Sequence, residues 1–187
     1  MTAALLIVDM QMFFAEMGAP VVPAIEQLTS AFAARSLPVI LTQHGHPPSD
    51  LTTPSPNMLV RKWGIDGSIH HGSEDWELMP EISSLRSSGG GNWPIVQKNT
   101  YDAFIGTELE ELLRKEGVER VIVCGVMTDC CCDTTARAAF NRGFDTWLVR
   151  DACASANERQ HHAGLSGFEF AFGEVPTTKE AIRRLDA

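Results

Sequence analysis

The chain alternates short, continuously apolar runs with longer stretches in which apolar residues recur every three or four positions. The run Ala3 to Val8 is too short for a helix and apolar throughout, as a strand buried on both faces requires. Residues 20–36 follow with Val22, Ile25, Leu28, Ala31 and Phe32 at helical spacing and Pro20 at the start. Strand patterns return over residues 37–42 and 93–98. Residues 107–117 read as a helix, with Thr107 as cap, acids early, bases late and Gly117 as stop. Val121 to Val126 is another buried-strand run, and Thr134-Thr135-Ala136-Arg137-Ala138-Ala139-Phe140 beyond it reads as a helix. A strand over 144–150, a helix over 161–172, a last short strand from Val175 and a closing helix over 178–185 complete the pattern. Strand and helix in alternation predict a three-layer α/β/α fold, an open, mostly parallel six-stranded sheet with helices on both faces.

Composition narrows the picture. The 187 residues, 44% hydrophobic and 21% charged, suit one globular domain spanning 1–187. A formal net charge of −9, with no cluster of Lys or Arg, argues against a nucleic-acid or anionic-membrane partner. No apolar run has the length to span a bilayer, and Asp9 interrupts the first one too early for a secretion signal. Five cysteines, three of them adjacent, make a poor disulfide framework and fit a reducing, cytoplasmic setting.

Residues 47–91 form the long irregular part, and a segment of this length is expected to be functional or to hold short helices. Trp63 and Trp76 either wall a pocket there or pack beneath the loop. Ser87-Ser88-Gly89-Gly90-Gly91 reads as a flexible surface turn. It lacks the Lys-Ser/Thr ending and following helix of a phosphate-binding loop, which excludes nucleotide binding at this point. His44-Gly45-His46 ends the second strand, and two uses are open to it. With His70 or His71 it supplies zinc ligands, or its imidazoles bond loop backbone and line a pocket.

Three chemically loaded residues each fall at or just past the carboxyl end of a different strand: Asp9, Lys98 and Cys131. Taken singly, Asp9 can cap a helix or act as a base, and Lys98 can simply be solvated. In an open parallel sheet, however, that rim is where ligands bind. A carboxylate, an ammonium and a thiol gathered there have one joint use. The lysine and the helix N-terminus are expected to make the thiol acidic, the carboxylate to carry its proton, and the sulfur to attack a carbonyl.

Leu5-Leu6-Ile7-Val8-Asp9-Met10-Gln11, Lys98-Asn99-Thr100-Tyr101-Asp102-Ala103-Phe104, Cys124-Gly125-Val126-Met127-Thr128-Asp129 with Cys131, Thr135-Ala136 and Asp151-Ala152 together resemble the isochorismatase-like cysteine hydrolase superfamily. The superfamily includes nicotinamidases, ureidoacrylate and biuret amidohydrolases and isochorismatases. The resemblance implies an Asp9–Lys98–Cys131 triad, with Cys130 and Cys132 as packing residues. It also implies a cis peptide between Val126 and Met127, and an oxyanion hole formed by the N–H groups of Met127 and Cys131. The implied activity is hydrolysis of a small amide through a thioester, with Phe14, His44, Trp63, Trp76, Tyr101 and Phe104 lining the pocket, no cofactor, and a homo-oligomeric assembly. The alternatives are a vinyl-ether hydrolase of isochorismatase type, a metal-assisted nicotinamidase-like amidase, and a non-catalytic member of the fold. Nicotinamidases of this superfamily carry Asp-x-His where this chain has His44-Gly45-His46, which does not forbid a metal but removes the resemblance's support for nicotinamide. Gly72 to Ile82 resembles the Trp-Glu-x-x-Pro-Glu-Leu stretch of isochorismatases and uncharacterised amidases, a support for the loop.

Overall fold

A computed structural model describes residues 1–88 and 93–185. In chain order the elements are β1 (Ala3–Val8), α1 (Ala15–Gly18), α2 (Val22–Ala33), β2 (Val39–His44), α3 (Met58–Trp63), α4 (Pro80–Ser88), β3 (Ile95–Lys98), α5 (Leu109–Lys115), β4 (Arg120–Val126), α6 (Asp133–Asn141), β5 (Asp145–Ala154), α7 (Glu158–Ala171) and α8 (Thr178–Arg183). Ser87 and Ser88, expected in a turn, end α4 instead, and the glycines at 89–91 lie outside the described residues. Helix α5 starts at Leu109 with Glu108 at the cap, although Thr107 Oγ1 still accepts the Leu109 N–H at 3.3 Å.

Among the described residues the sheet has five strands, all parallel, in the order β3-β2-β1-β4-β5. The sixth strand expected from Val175 is reduced to an isolated parallel bridge between Trp147 and Glu174. Glu174 exchanges backbone hydrogen bonds with Thr146 and Leu148, and Arg150 N–H reaches the Pro176 carbonyl. Proline has no N–H with which to continue the ladder, so pairing stops where Pro176 stands.

Every residue of β1 and β2 is buried, because helices cover both faces. Two right-handed crossovers, β1-α2-β2 and β4-α6-β5, move in opposite directions along the sheet and place α2 and α6 on opposite faces. The direction of winding therefore reverses between β1 and β4, and the crevice at that switch point opens beyond their carboxyl ends. Gly125 makes the β1–β4 contact possible. Its φ is +113°, and a Cβ there would lie 2.2 Å from the Val8 carbonyl oxygen.

Candidate active site

The ends of β1, β3 and β4 bring Asp9, Lys98 and Cys131 into direct contact. Asp9 follows β1 with φ at +50°, a conformation that aspartate tolerates better than most residues. Lys98 closes β3 and donates from Nζ to Asp9 Oδ2 at 2.7 Å and to the Thr100 carbonyl at 3.0 Å. The same ammonium lies 3.4 Å from Cys131 Sγ. Thr42, at the next strand, accepts the Asp9 N–H at 3.2 Å and donates to Asp9 Oδ1 at 2.6 Å. Both carboxylate oxygens are thus held before any substrate arrives. Asp9 and Lys98 side chains are fully buried, and Cys131 is 6% exposed.

Burial acts on all three groups, and the pair decides the outcome. Desolvation pushes the Asp9 carboxyl up, but Lys98 and the hydrogen bonds of Lys98 and Thr42 prevail, so its pKa lies below the ordinary value and it is ionised. Desolvation pulls Lys98 down, and Asp9 with Cys131 more than reverses it. For Cys131, burial raises the pKa, and the lowering effect of Lys98 is offset by the neighbouring Asp9 charge. The expectation of an acidic resting cysteine is therefore corrected. Lys98 is already neutralised by Asp9, so the sulfur rests as a thiol beside an ionised base.

The nucleophile sits in a π-helical turn, Thr128–Cys132, between β4 and α6. A π-turn inserted before a helix is a common device at functional sites. The Val126–Met127 peptide entering it is cis. The N–H groups of Cys130 and Cys132 both close onto the Met127 carbonyl at 3.1 Å, bracketing the Cys131 N–H. Thr135, one turn into α6, donates to the Tyr101 carbonyl and accepts the Ala103 N–H, each at 3.1 Å. This ties the loop after Lys98 to the helix that carries the nucleophile. Cys132 is fully buried, in accord with packing, whereas Cys130 is half-buried and its thiol is pushed up to about 11 by burial and by Asp129.

The other sequence-selected residues separate into two groups. Trp63 Nε1 donates to Tyr101 Oη at 2.9 Å, and Tyr101 lies close enough to Cys130 and Cys131 for their charges to affect it. Phe14 borders a cleft of about 590 Å³ shared with Ser155, whose hydroxyl bonds Asp129 of the nucleophile turn. His44 is buried beside Asp9 and Lys98. Burial, then Lys98, push its pKa down to about 3, so it is neutral, and its Nδ1 has no hydrogen-bond partner. Phe104, expected in the pocket, is instead a core residue stacked on Phe144 at 6.4 Å. Trp76 is half-buried, packs on His71, and uses its carbonyl to receive Gln11 and Gln43 side chains, so it braces the loop.

The His44 and His46 rings meet edge to face, with centroids 4.9 Å apart. His46 Nδ1 is 3.2 Å from Asp50 Oδ2, and Asn57 and Asn99 also donate to that oxygen. His70 Nε2 is on the Ile65 carbonyl at 3.0 Å. Among the described residues no group of three His, Cys, Asp or Glu side chains is placed to hold a metal ion. Sequence reasoning missed Thr42, whose signal was only a hydroxyl at a strand end beside Asp9. It also missed Ser155, Gln160 and His161, which reach the nucleophile turn from sequence positions far away.

A parallel α/β sheet that presents a buried carboxylate, ammonium and thiol at its switch point defines a hydrolase working through a cysteine nucleophile. The chain belongs to the isochorismatase family, whose domain model matches residues 3–180. It is 39% identical to nicotinamidase 3 of Arabidopsis thaliana over 98% of this chain and 88% of that one. A cysteine hydrolase from Pseudomonas syringae pv. phaseolicola superposes with a TM-score of 0.85 at 28% identity, covering 98% and 92% of the two chains. N-carbamoylsarcosine amidase from Thermoplasma acidophilum superposes at 0.77 with 26% identity, covering 95% and 96%. The protein is an amidohydrolase of this family, acting on a C–N bond other than a peptide bond.

Proposed function

We propose that this enzyme hydrolyses the carboxamide of a small aromatic molecule through a thioester at Cys131, and that nicotinamide is the first candidate. The observation that carries the reading is the buried Lys98 ammonium in contact with both Asp9 and Cys131. Asp9 takes the thiol proton as Sγ attacks the amide carbon. The developing oxyanion collects the N–H groups of Met127 and Cys131. Asp9 then returns the proton to the departing nitrogen, ammonia leaves, and the thioester remains. A water that Asp9 deprotonates cleaves the thioester, and the acid is released. Lys98 keeps Asp9 ionised and oriented in both halves. Hydrolysis of an ether without a thiol nucleophile would leave the Lys98–Cys131 contact unused.

Three aromatic side chains, Phe14, Trp63 and Tyr101, stand around the approach to the nucleophile turn and favour a flat ring. The 39% identity with a nicotinamidase restores nicotinamide to consideration even though His44 occupies the place of an acid. Ammonia release from a panel of primary amides and ureides tests the reading. Turnover of nicotinamide or a related aromatic amide is expected. Release of ammonia from aliphatic ureides alone would overturn the aromatic assignment, and no release from any member would overturn amide hydrolysis.

The cycle as proposed draws its base, its cation and its nucleophile from Asp9, Lys98 and Cys131 and calls on no Lewis acid. Exhaustive chelation is therefore expected to leave the rate unchanged. A loss that zinc restores would reverse this. We place the enzyme in the cytoplasm, where the five free thiols suit a reducing medium. No helix among the described residues is long and apolar enough to cross a membrane.

We also propose a homo-oligomer, on revised grounds. Of the large apolar side chains Trp63, Ile65, Ile69 and Trp76 in the long middle segment, Ile69 is buried in its own chain and Ile65 and Trp76 are half-buried. Trp63 remains exposed, on the helix that also exposes Met58, and it is bonded to Tyr101 close to the exposed Ile105. A two-fold contact would bury this patch on both subunits. Light scattering should give a mass at least twice the 20.5 kDa of the chain. A monomer at every concentration, with full activity, would refute it.

A further inference from the structure

Side chains of the turn that carries Cys131 are held from outside it. Thr128 Oγ1 pairs with His161 Nδ1 at 2.8 Å. Asp129 Oδ2 accepts from Gln160 Nε2 at 2.9 Å, and Asp129 Oδ1 accepts from the Ser155 hydroxyl. Helix α7 comes so close that a Cβ at Gly164 would lie 2.9 Å from Asp129 Cα. Neither Thr128 nor Asp129 has a role in the chemistry described above. Both are spent on fixing the turn to α7 and to the loop after β5.

We propose that Gln160 and His161 are positioning residues of the amidohydrolase. Acting through Asp129 and Thr128, they hold the Met127–Cys131 turn so that its N–H groups converge on the oxyanion. This rests on the hydrolase reading and adds α7 to the machinery that serves it. The physical need is plain. Two backbone donors stabilise a developing charge only if they are already aimed at it, because reorientation at the moment of reaction would cancel the gain. The segment carrying them is a π-turn in which the Met127 carbonyl is shared between two N–H groups, a less regular pattern than the one-to-one ladder of an α-helix. The side-chain contacts on Thr128 and Asp129 supply a further constraint. The close approach also accounts for a glycine at 164, where a Cβ would push α7 off the turn.

The test compares two reactions of the same sulfur. p-Nitrophenyl acetate acylates Cys131: the S–C bond forms, the thiol proton goes to Asp9, an oxyanion develops, and p-nitrophenolate leaves. Iodoacetamide alkylates Cys131: the S–C bond forms, iodide leaves, the proton goes to Asp9, and no oxyanion develops. For Gln160→Ala, His161→Ala and the double variant, acylation is expected to fall about tenfold or more. Alkylation of Cys131, followed by mass spectrometry, should stay within about twofold, as should KM for an amide substrate. His161→Asn, which keeps a polar atom near the Thr128 hydroxyl, should recover most of the loss. Gln160 is exposed, so its variant keeps the test open should changes at His161 impair folding. Equal acylation in wild type and the double variant would remove the clamp while leaving the hydrolase reading intact. A parallel fall in acylation and alkylation would make the contacts merely structural and overturn the proposal. Absence of acylation in the wild type would remove the nucleophile, and with it both readings.

Discussion

Cys131→Ala is expected to lower the hydrolytic rate by roughly 10⁴-fold or more while leaving the fold in place, because removal of the nucleophile of a coupled unit costs nearly as much as removal of the unit. The stability cost should be small. Cys131 sits at the rim, and replacing its thiol by hydrogen deletes one small buried atom, a change of about 1 kcal/mol. Cys130→Ala is the matched control: the same element, one residue away, with a half-buried thiol. It should retain activity. Initial rates on the amide selected by the ammonia screen, together with thermal melts, check both. Activity of Cys131→Ala within a few-fold of wild type would exclude covalent catalysis, and comparable losses in the two variants would mean that the turn, not the sulfur, had been damaged.

Much of this site was legible because the pattern that marks a buried parallel strand also marks where its carboxyl end lies. Asp9, Lys98 and Cys131 could be placed at one rim without knowing any distance, since all the strands run the same way. What was not legible depends on burial and on contacts between remote residues. The acidity of Cys131 was misjudged because sequence shows a lysine and a helix start but not the desolvation that outweighs them, nor that Asp9 has already claimed the ammonium at 2.7 Å. Phe104 was assigned to the pocket because its motif borders Lys98, whereas the loop turns it back onto Phe144. The short strand from Val175 failed for a reason that was visible: Pro176 forbids the next ladder bond. The hold of α7 on the nucleophile turn had no local signal at all. His161 and Gln160 are ordinary polar residues at a helix start, and only the packing of Gly164 against Asp129 brings them to bear.

Lys98→Met and Asp9→Asn should each abolish activity and, unlike Cys131→Ala, also destabilise the fold. The two side chains form an ion pair with no exposure to solvent, and deleting either partner leaves a buried charge without compensation, a loss of about 3–5 kcal/mol. The double variant Asp9→Asn/Lys98→Met should recover much of that stability, because no charge then remains, yet recover no activity, because the base is gone. The pH dependence follows from the directions of the two shifts. Asp9 has a folded pKa below its ordinary 3.8, so its contribution is present above that value and lost as pH falls through the folded pKa. Lys98 has a folded pKa above its ordinary 10.5, so its contribution is present below that value and lost as pH rises through the folded pKa. Between about pH 5 and about pH 9 the pair therefore contributes a constant amount, and the stability difference between wild type and the double variant should be flat there. Urea unfolding of the four proteins across that range measures it. Single variants as stable as wild type would show that the pair is not buried as described, and a difference that slopes through neutral pH would mean that a neighbouring group, Cys131 or His44, titrates with the pair.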